Sequence, residues 1–581
     1  MRKTKIICTL GPSTDKANIL KELMLNGMDV ARINMSHQEH WEHLERINMV
    51  KKLRQQMSLP IALLLDTKGP EIRIGKFNTP QIHLKKGQIF TLTTDEILGD
   101  ETIVSVSFKE LAKEIVVGTK ILIDDGLICL SVQGISGNSM ICEVVNGGVL
   151  SANKGINIPG LKLSLPFISP KDLDDIKFAV EQDFDFIAAS FARTADDIKH
   201  LRNKLSNLGG SHIKIIAKIE NSEGVNNIDE IINVADGIMV ARGDLGVEVP
   251  LEDIPKIQKQ LIKKTCAAGK LVITATQMLD SMIKNPRPTR AEVNDVANAI
   301  YDGTSAIMLS GETAAGAYPI EAVKMMSSIA AKTEADIDYK KRFFNMKLTK
   351  RPTITSATSH ATCTTALDLE ASAIFTLTES GRTAQFVSQY RPSCPIIAGT
   401  SDQTVLRQLN LFWGVVPLLI ENEVQDLNQL VEKSVQTAST KNLLKNGDLI
   451  VITAGLPLGK LYGTNFLKVH FVGNILCSGH GVTNASVSGN VCVCKNEAEA
   501  FSKFKPGDIL VISETSDNIL DIIKDSKAVV TEAHENNSHA AVVGIALDKP
   551  VITGAQNATE LLQDNAFVTV DAARGIVFEG N

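Results

Sequence analysis

The sequence predicts an α/β chain built on a (β/α)8 TIM barrel, with an inserted small β-barrel lid, an α/β domain after it and a mixed β/α domain at the end. Eight apolar runs, "TKIICTL", "MDVARIN", "IALLLD", "FDFIAAS", "IKIIAKIE", "GIMVAR", "LVITAT" and "SAIMLS", alternate with segments of helical periodicity. They are nearly continuous, as parallel strands covered on both faces are, and eight strand-helix units close a barrel. The connection after the third strand differs. Glu71 to Pro166 is rich in short alternating strands and turns such as "DDGL", "SGN" and "NGG", which read as a separate β-domain.

Residues 1–70 and 167–345 are therefore assigned to the barrel and residues 71–166 to a lid over its mouth. The barrel helices carry ordinary boundary signals, such as Thr289 with Glu292 as a capping box before "VNDVANAI". Residues 345–352 read as a linker, after which helices alternate with "AIFTLTES", "PIIAGT", "GVVPLLI", "DLIVITAG" and "FLKVHFVG", an α/β domain over 346–473. From residue 474 to 581, "SGHGVTNASVSGNVCVC", "GDILVISET" and "SKAVVTEAHENNSHAAVVG" read as a mixed β/α tail. Cys492 and Cys494 fall on alternate positions of one of its strands.

Composition narrows the function. A chain of 581 residues accommodates roughly four domains of about 150 residues each, and its 44% hydrophobic content is ample for buried cores. The net charge of −6 argues against general affinity for nucleic acid or anionic membrane, while leaving room for a local basic pocket for a phosphorylated metabolite. No signal-peptide apolar region opens the chain, and no run nears the ~18 apolar residues of a membrane helix, so a cytoplasmic enzyme is expected. Nine cysteines at scattered positions point to reduced thiols.

Chemistry in such a barrel sits at the C-terminal ends of the strands. Strand two ends in Arg32, Asn34 and Ser36, and strand three in Asp66, Thr67 and Lys68, with Glu71 and Arg73 just beyond. Strand five ends in Lys218 and Glu220, strand six in Arg242, Gly243 and Asp244, strand seven in Thr276 and Gln277, and strand eight in Ser310 and Glu312. Lys218 and Glu220 share one face of an extended segment, as either a satisfied ion pair or a catalytic pair. Glu220 and Asp244 are hard oxygen ligands suited to Mg²⁺ or Mn²⁺ with positions left for substrate oxygens. Arg32, Arg73 and Lys218 supply positive charge for a phosphoryl group, whose transfer depends on positioning and electrostatics. Gly243 fits either a helix N-terminus offering backbone N–H groups or a plain tight turn.

These residues lie within longer stretches, "ARINMSH", "LLDTKGPEIR", "KIENSEG", "MVARGDLGVE", "TATQMLDSM", "NPRPTRAEVNDVANAIYDGT" and "LSGETAAGAYP", and over residues 1–473 the chain closely resembles the pyruvate kinase family. The tail resembles the phosphohistidine domain of phosphoenolpyruvate-utilising enzymes, an extension found on some bacterial members. The resemblance implies a cytosolic homotetramer that moves the phosphoryl group of phosphoenolpyruvate to ADP, giving pyruvate and ATP, with Mg²⁺ (or Mn²⁺) and K⁺. It implies Glu220 and Asp244 as Mg²⁺ ligands and Asn34, Ser36, Asp66 and Thr67 as K⁺ ligands, with Glu71 where K⁺-dependent members carry a glutamate. Lys218, Arg32 and Arg73 take the catalytic charge roles, and Arg32, Lys218, Gly243, Asp244 and Thr276 the substrate contacts. Arg32, Asn34, His37 and Arg73 fall to the nucleotide, and Thr276, Ser310 and Glu312 to the network that protonates the enolate.

The loop "TESGRT" matches the family's effector-phosphate loop, with Thr378, Ser380, Gly381, Arg382 and Thr383 as its binding residues. Glu379 places a negative charge there, so AMP or a sugar monophosphate is expected as the effector rather than fructose 1,6-bisphosphate. Two further readings stand beside the kinase. One is a dikinase-like enzyme using His539 of "SHAAVVG", whose preceding "ENN" lacks the glycines that would let backbone approach a phosphate. The other is a non-catalytic metabolite sensor.

Overall fold

The computed structural model describes all residues except 347–351, 422–426, 458–462, 535–537 and 581. Most of the linker expected at 345–352, and the "ENN" segment at 535–537, thus lie outside the described residues. The chain divides into two compact units, one of Met1–Pro352 with Thr378–Leu419, the other of Thr353–Leu377 with Ile420–Asn581.

In the first unit all eight apolar runs become neighbouring parallel strands of one closed barrel. In chain order they are Lys5–Thr9, Val30–Asn34, Ala62–Asp66, Phe186–Ala189, Lys214–Ile219, Gly237–Ala241, Leu271–Ala275 and Ala306–Leu309. The two faces of each strand explain the unbroken apolar runs. Ile6, Cys8, Ala31, Ile33, Leu63 and Leu65 belong to a core shared with helix residues such as Leu20, Ile47, Val50 and Met326. The residues that alternate with them, among them Thr9, Arg32, Asp66 and Lys218, turn the other way, and at the strand ends these are the polar ones. Helices start where the sequence says. Ser169, Thr194 and Thr289 each cap a helix reciprocally with an acidic residue three positions on.

The insert forms a seven-stranded sheet whose outermost strands, Ile72–Arg73 and Ile103–Ser105, curl back toward one another. Gly75 N–H donates to Ser105 O at 2.8 Å and Ser107 N–H to Arg73 O at 2.9 Å, which rolls the sheet into a small barrel. Its turns are the ones expected, with Asp124, Asp125 and Gly126 all in the left-handed region. The strands Ile396–Thr400 and Val415–Leu419 pair in parallel within the same unit. Arg407 there holds Asp185 at 2.7 Å and Asp183 at 2.8 Å.

In the second unit Ala373–Leu377 and Leu449–Ala454 pair in parallel, and Phe466–Phe471 joins antiparallel. The tail is an eight-stranded mixed sheet in which Ser486–Cys494 runs through the middle. Cys492 and Cys494 are both buried with their sulfurs 3.6 Å apart, as alternate positions of one strand require. His539 opens the helix His539–Leu547, with Nδ1 3.0 Å from Thr515 Oγ1 and Nε2 3.1 Å from Asp517 Oδ1.

Candidate active site

Asp66 ends the third barrel strand with its carboxylate fully buried, and three cationic or hydroxyl donors converge on it. Arg32 Nε donates to Oδ2 at 2.7 Å, Lys218 Nζ lies 2.9 Å from Oδ1, and Ser190 Oγ donates to Oδ1 at 3.2 Å. Lys218 also meets Glu220 Oε1 at 2.9 Å and donates to Ser190 Oγ at 2.7 Å. Burial alone pushes the Lys218 ammonium down, but Asp66 and then Glu220 outweigh it and hold the group charged.

Glu220 is 1% exposed and its two oxygens have different fates. Oε2 accepts from the Phe191 backbone N–H at 2.6 Å. Oε1 touches the ammonium without an aligned hydrogen bond from any donor. Burial, opposed by Lys218 and reinforced by Asp244, pushes this carboxyl up to about 7. Burial is the larger cause, and Asp244, in the first turn of the helix Arg242–Glu248, adds a like charge nearby. Oε1, held 2.9 Å from the Lys218 ammonium and near a second carboxylate, suits a divalent cation with a partial protein shell. Among the described residues no group of three or more His, Cys, Asp and Glu is placed to hold a metal ion by itself.

Thr276 and Gln277 follow the seventh strand with φ of +72° and +56°, a conformation that costs side-chain-bearing residues free energy. Arg242 holds them there. Its Nε donates to Ala275 O at 3.2 Å and Nη2 to Thr276 O at 2.7 Å, while Asp295 anchors Nη1 at 2.7 Å. A Cβ on Gly243 would stand 2.8 Å from Thr276 Cγ2, so only glycine lets the two loops approach. Glu312 is buried with both oxygens occupied, one by Leu279 N–H at 3.0 Å and the other by Ser310 N–H at 2.7 Å. It ties the loops after strands seven and eight together, and Ser310 follows strand eight directly.

Asn34 pairs in register with Asp66, and its Oδ1 accepts from Ser36 N–H at 3.2 Å, so these oxygens share one corner of the mouth. Thr67 Oγ1 accepts from Ser190 N–H at 3.1 Å. Arg73 and Glu71 form a bidentate pair at 2.8 and 2.7 Å, so the Glu71 charge is matched by the arginine. Both line a cleft of about 580 Å³ between the barrel mouth and the insert, together with His37, Asp125, Lys154 and Asp244. Asp125 is pushed up by burial, then by Asp244 and Asp124. Lys154 pairs with Asp124 at 2.8 Å.

Four contributors are missed by the sequence reading. Thr9 accepts from Arg32 Nη1 at 2.8 Å, and Ser190 joins Lys218 to Asp66; both are polar residues closing strands one and four, so the strand-end rule that finds the others reaches them too. Phe191 contributes only its backbone N–H at φ +55°, and Lys154 comes from the insert; neither leaves a local sequence signal. At the effector loop, Thr378 and Thr383 are buried while Ser380 and Arg382 are exposed, and Gly381 precedes the helix Arg382–Gln389 at φ +78°.

A closed barrel whose mouth gathers two arginines and a lysine around paired carboxylates defines a phosphotransferase acting on an anionic substrate. Comparison with known proteins places it further. The family model described as "Pyruvate kinase, barrel domain" matches residues 1–323, "Pyruvate kinase, alpha/beta domain" residues 356–470, and "PEP-utilising enzyme, mobile domain" residues 504–575. Relatives named pyruvate kinase include one from Geobacillus stearothermophilus, 48% identical over 582 residues, and one from Sporosarcina psychrophila, 45% identical over 583. A third, from Bacillus licheniformis, is 46% identical over 582 residues, and each alignment covers 100% of this chain and 99% of the relative. The chain belongs to the pyruvate kinase family.

Proposed function

We propose that this site transfers the phosphoryl group of phosphoenolpyruvate to ADP, giving pyruvate and ATP in the last step of glycolysis. The observation that carries the proposal is the buried Lys218 ammonium, 2.9 Å from Asp66 and 2.9 Å from Glu220, whose second oxygen is fixed by the Phe191 amide. Glu220 and Asp244 would hold Mg²⁺ or Mn²⁺, which when bound supplies Lewis-acid charge to the phosphoryl and enolate oxygens. Lys218 adds a fixed positive charge where the transferring group gains negative charge, at no reorganisation cost because its carboxylate partners already orient it. Gly243 and Thr276, which approach closely because position 243 has no Cβ, are assigned to the substrate carboxylate. Thr276 and Ser310 are assigned to the proton path to the enolate carbon, with Glu312, bonded to the Leu279 and Ser310 amides, tying their loops together. Arg32, Asn34, His37 and Arg73, with Lys154 from the insert, face the phosphates of the nucleotide. Asn34, Ser36, Asp66 and Thr67 supply oxygens for K⁺.

The same reading includes the division into residues 1–70 with 167–345, 71–166, 346–473 and 474–581, a homotetramer in the cytoplasm, and an activator phosphate bound by Thr378, Ser380, Gly381, Arg382 and Thr383. Among the described residues no helix is long and apolar enough to cross a membrane. The match over the barrel and the α/β region favours the kinase over the dikinase-like and sensor readings. A lactate-dehydrogenase-coupled assay with phosphoenolpyruvate and ADP tests it. NADH loss dependent on both substrates and on Mg²⁺ is expected, and its absence from folded protein contradicts the proposal.

A further inference from the structure

Arg391 is 5% exposed, yet its Nε and Nη1 have no hydrogen-bond partner. Its backbone is left-handed at φ +51°, and the guanidinium lies 4.7 Å from the centre of the Trp413 ring. Its side-chain hydrogen bonds run through Nη2, to Gly303 O at 3.0 Å, Ser305 Oγ at 3.1 Å and Cys266 Sγ at 3.6 Å. Among the described residues no carboxylate pairs with it, so a buried cation is left with two idle donors, an arrangement that is costly unless an anion completes it. A second cation adds to the first. Arg342 Nη2 lies against Gly303, in the space a Cβ would fill at that residue's φ of +103°, and burial and then the like charge of Arg391 lower its pKa.

We propose that Cys266 is a site of reversible oxidation by peroxide, and that Arg391 with Arg342 holds its oxidised, anionic form. Cys266 is partly exposed near the end of the helix Ile254–Ala267, and its thiol donates to Gly303 O at 3.3 Å. As the thiolate, Sγ attacks one peroxide oxygen. The S–O bond forms as the O–O bond breaks, and sulfur loses two electrons. The proton on the transferred oxygen passes to the departing hydroxide, which leaves as water, and the protein keeps a sulfenate anion. Arg391 Nη2, 3.6 Å from Sγ, stands where charge on the new oxygen would develop. The other thiols differ. Cys8, Cys142, Cys363, Cys477, Cys492 and Cys494 are buried, and burial pushes Cys142 up to about 12 and Cys477 up to about 11. Cys129 and Cys394 are partly exposed, as Cys266 is; the Cys129 thiol donates to the neighbouring Leu130 carbonyl at 4.0 Å, and Cys394 lies near the single Lys3 ammonium rather than a pair of buried guanidinium groups.

The full-length protein is treated with substoichiometric hydrogen peroxide in the presence of dimedone, and labelled peptides are quantified by mass spectrometry. Cys266 is expected to label several-fold faster than Cys129 and Cys394, and Arg342→Gln is expected to slow it. Arg391→Gln is the stronger variant, read only if its thermal transition stays cooperative. Cys266→Ser removes the label and leaves the unoxidised enzyme's activity unchanged. Equal labelling of Cys129 and Cys266, or a Cys266 rate unmoved by Arg342→Gln, overturns the proposal.

Discussion

Lys218 Nζ lies 2.9 Å from Glu220 Oε1, the lysine being the penultimate residue of a strand and the glutamate standing just past its end, two residues on. Period two puts them on one face, and the Phe191 amide on Oε2 fixes the second carboxylate oxygen. The remaining oxygen and Asp244 form the corner where the account places the metal.

That corner titrates. Glu220 is held at about 7 against an ordinary 4.5, by burial first and Asp244 besides. Over that interval the folded protein keeps a proton the unfolded chain has lost, so this group's contribution makes the metal-free fold less stable as pH rises from about 4.5 through about 7. A divalent cation competes with that proton, so the thermal shift produced by Mg²⁺ should be larger at pH 7.5 than at pH 5.5. Glu220→Gln should flatten the difference. Equal Mg²⁺ shifts at both pH values in the parent protein would argue against the assignment.

Activity should need K⁺. Asn34, Ser36, Asp66 and Thr67 carry the oxygens assigned to the ion, Asp66 sharing its carboxylate with Arg32 and Lys218, and Glu71 is matched by Arg73. Replacing K⁺ by tetramethylammonium at constant ionic strength should abolish most of the rate. Equal rates in the two salts would refute it.

Arg242 acts through Thr276. With its three bonds to Ala275, Thr276 and Asp295 weakened in Arg242→Lys, the left-handed turn should relax and kcat fall by up to about a hundredfold, as for a substrate-positioning group displaced by an ångström. Asp295→Asn should give a smaller loss of the same kind. Unchanged kcat in both variants would separate the arginine from the chemistry.

A phosphate monoester such as AMP or ribose 5-phosphate should lower the half-saturating phosphoenolpyruvate concentration. Ser380 and Arg382 are the exposed members of the loop and Glu379 is exposed beside them. Ser380→Asp should abolish the effect by like-charge repulsion. Activation by fructose 1,6-bisphosphate alone would contradict this.

Most of the barrel was legible because its strands are buried on both faces, which leaves an unbroken apolar run ending in a polar residue. Lys218, Glu220, Asp66 and Arg32 could be read that way. Phe191 could not, because it contributes a backbone amide and a left-handed φ rather than a side-chain type. Lys154 faces the cleft only because the insert rolls up on itself and brings residue 154 to the barrel mouth, a non-local consequence of strand pairing. Glu312 shows a role that residue type alone conceals, since both oxygens are spent on backbone amides and it orients the loops around the proton path.

The central claim is that Lys218 supplies charge to the transition state, and Lys218→Met tests it most directly. Removing the ammonium leaves Asp66 and Glu220 buried with less compensation, so the variant is assayed below its thermal transition and at saturating Mg²⁺. The account predicts that kcat falls by about 10³-fold or more while KM for phosphoenolpyruvate changes little. A KM raised about tenfold with kcat unchanged would make Lys218 a ground-state binding group and contradict the account.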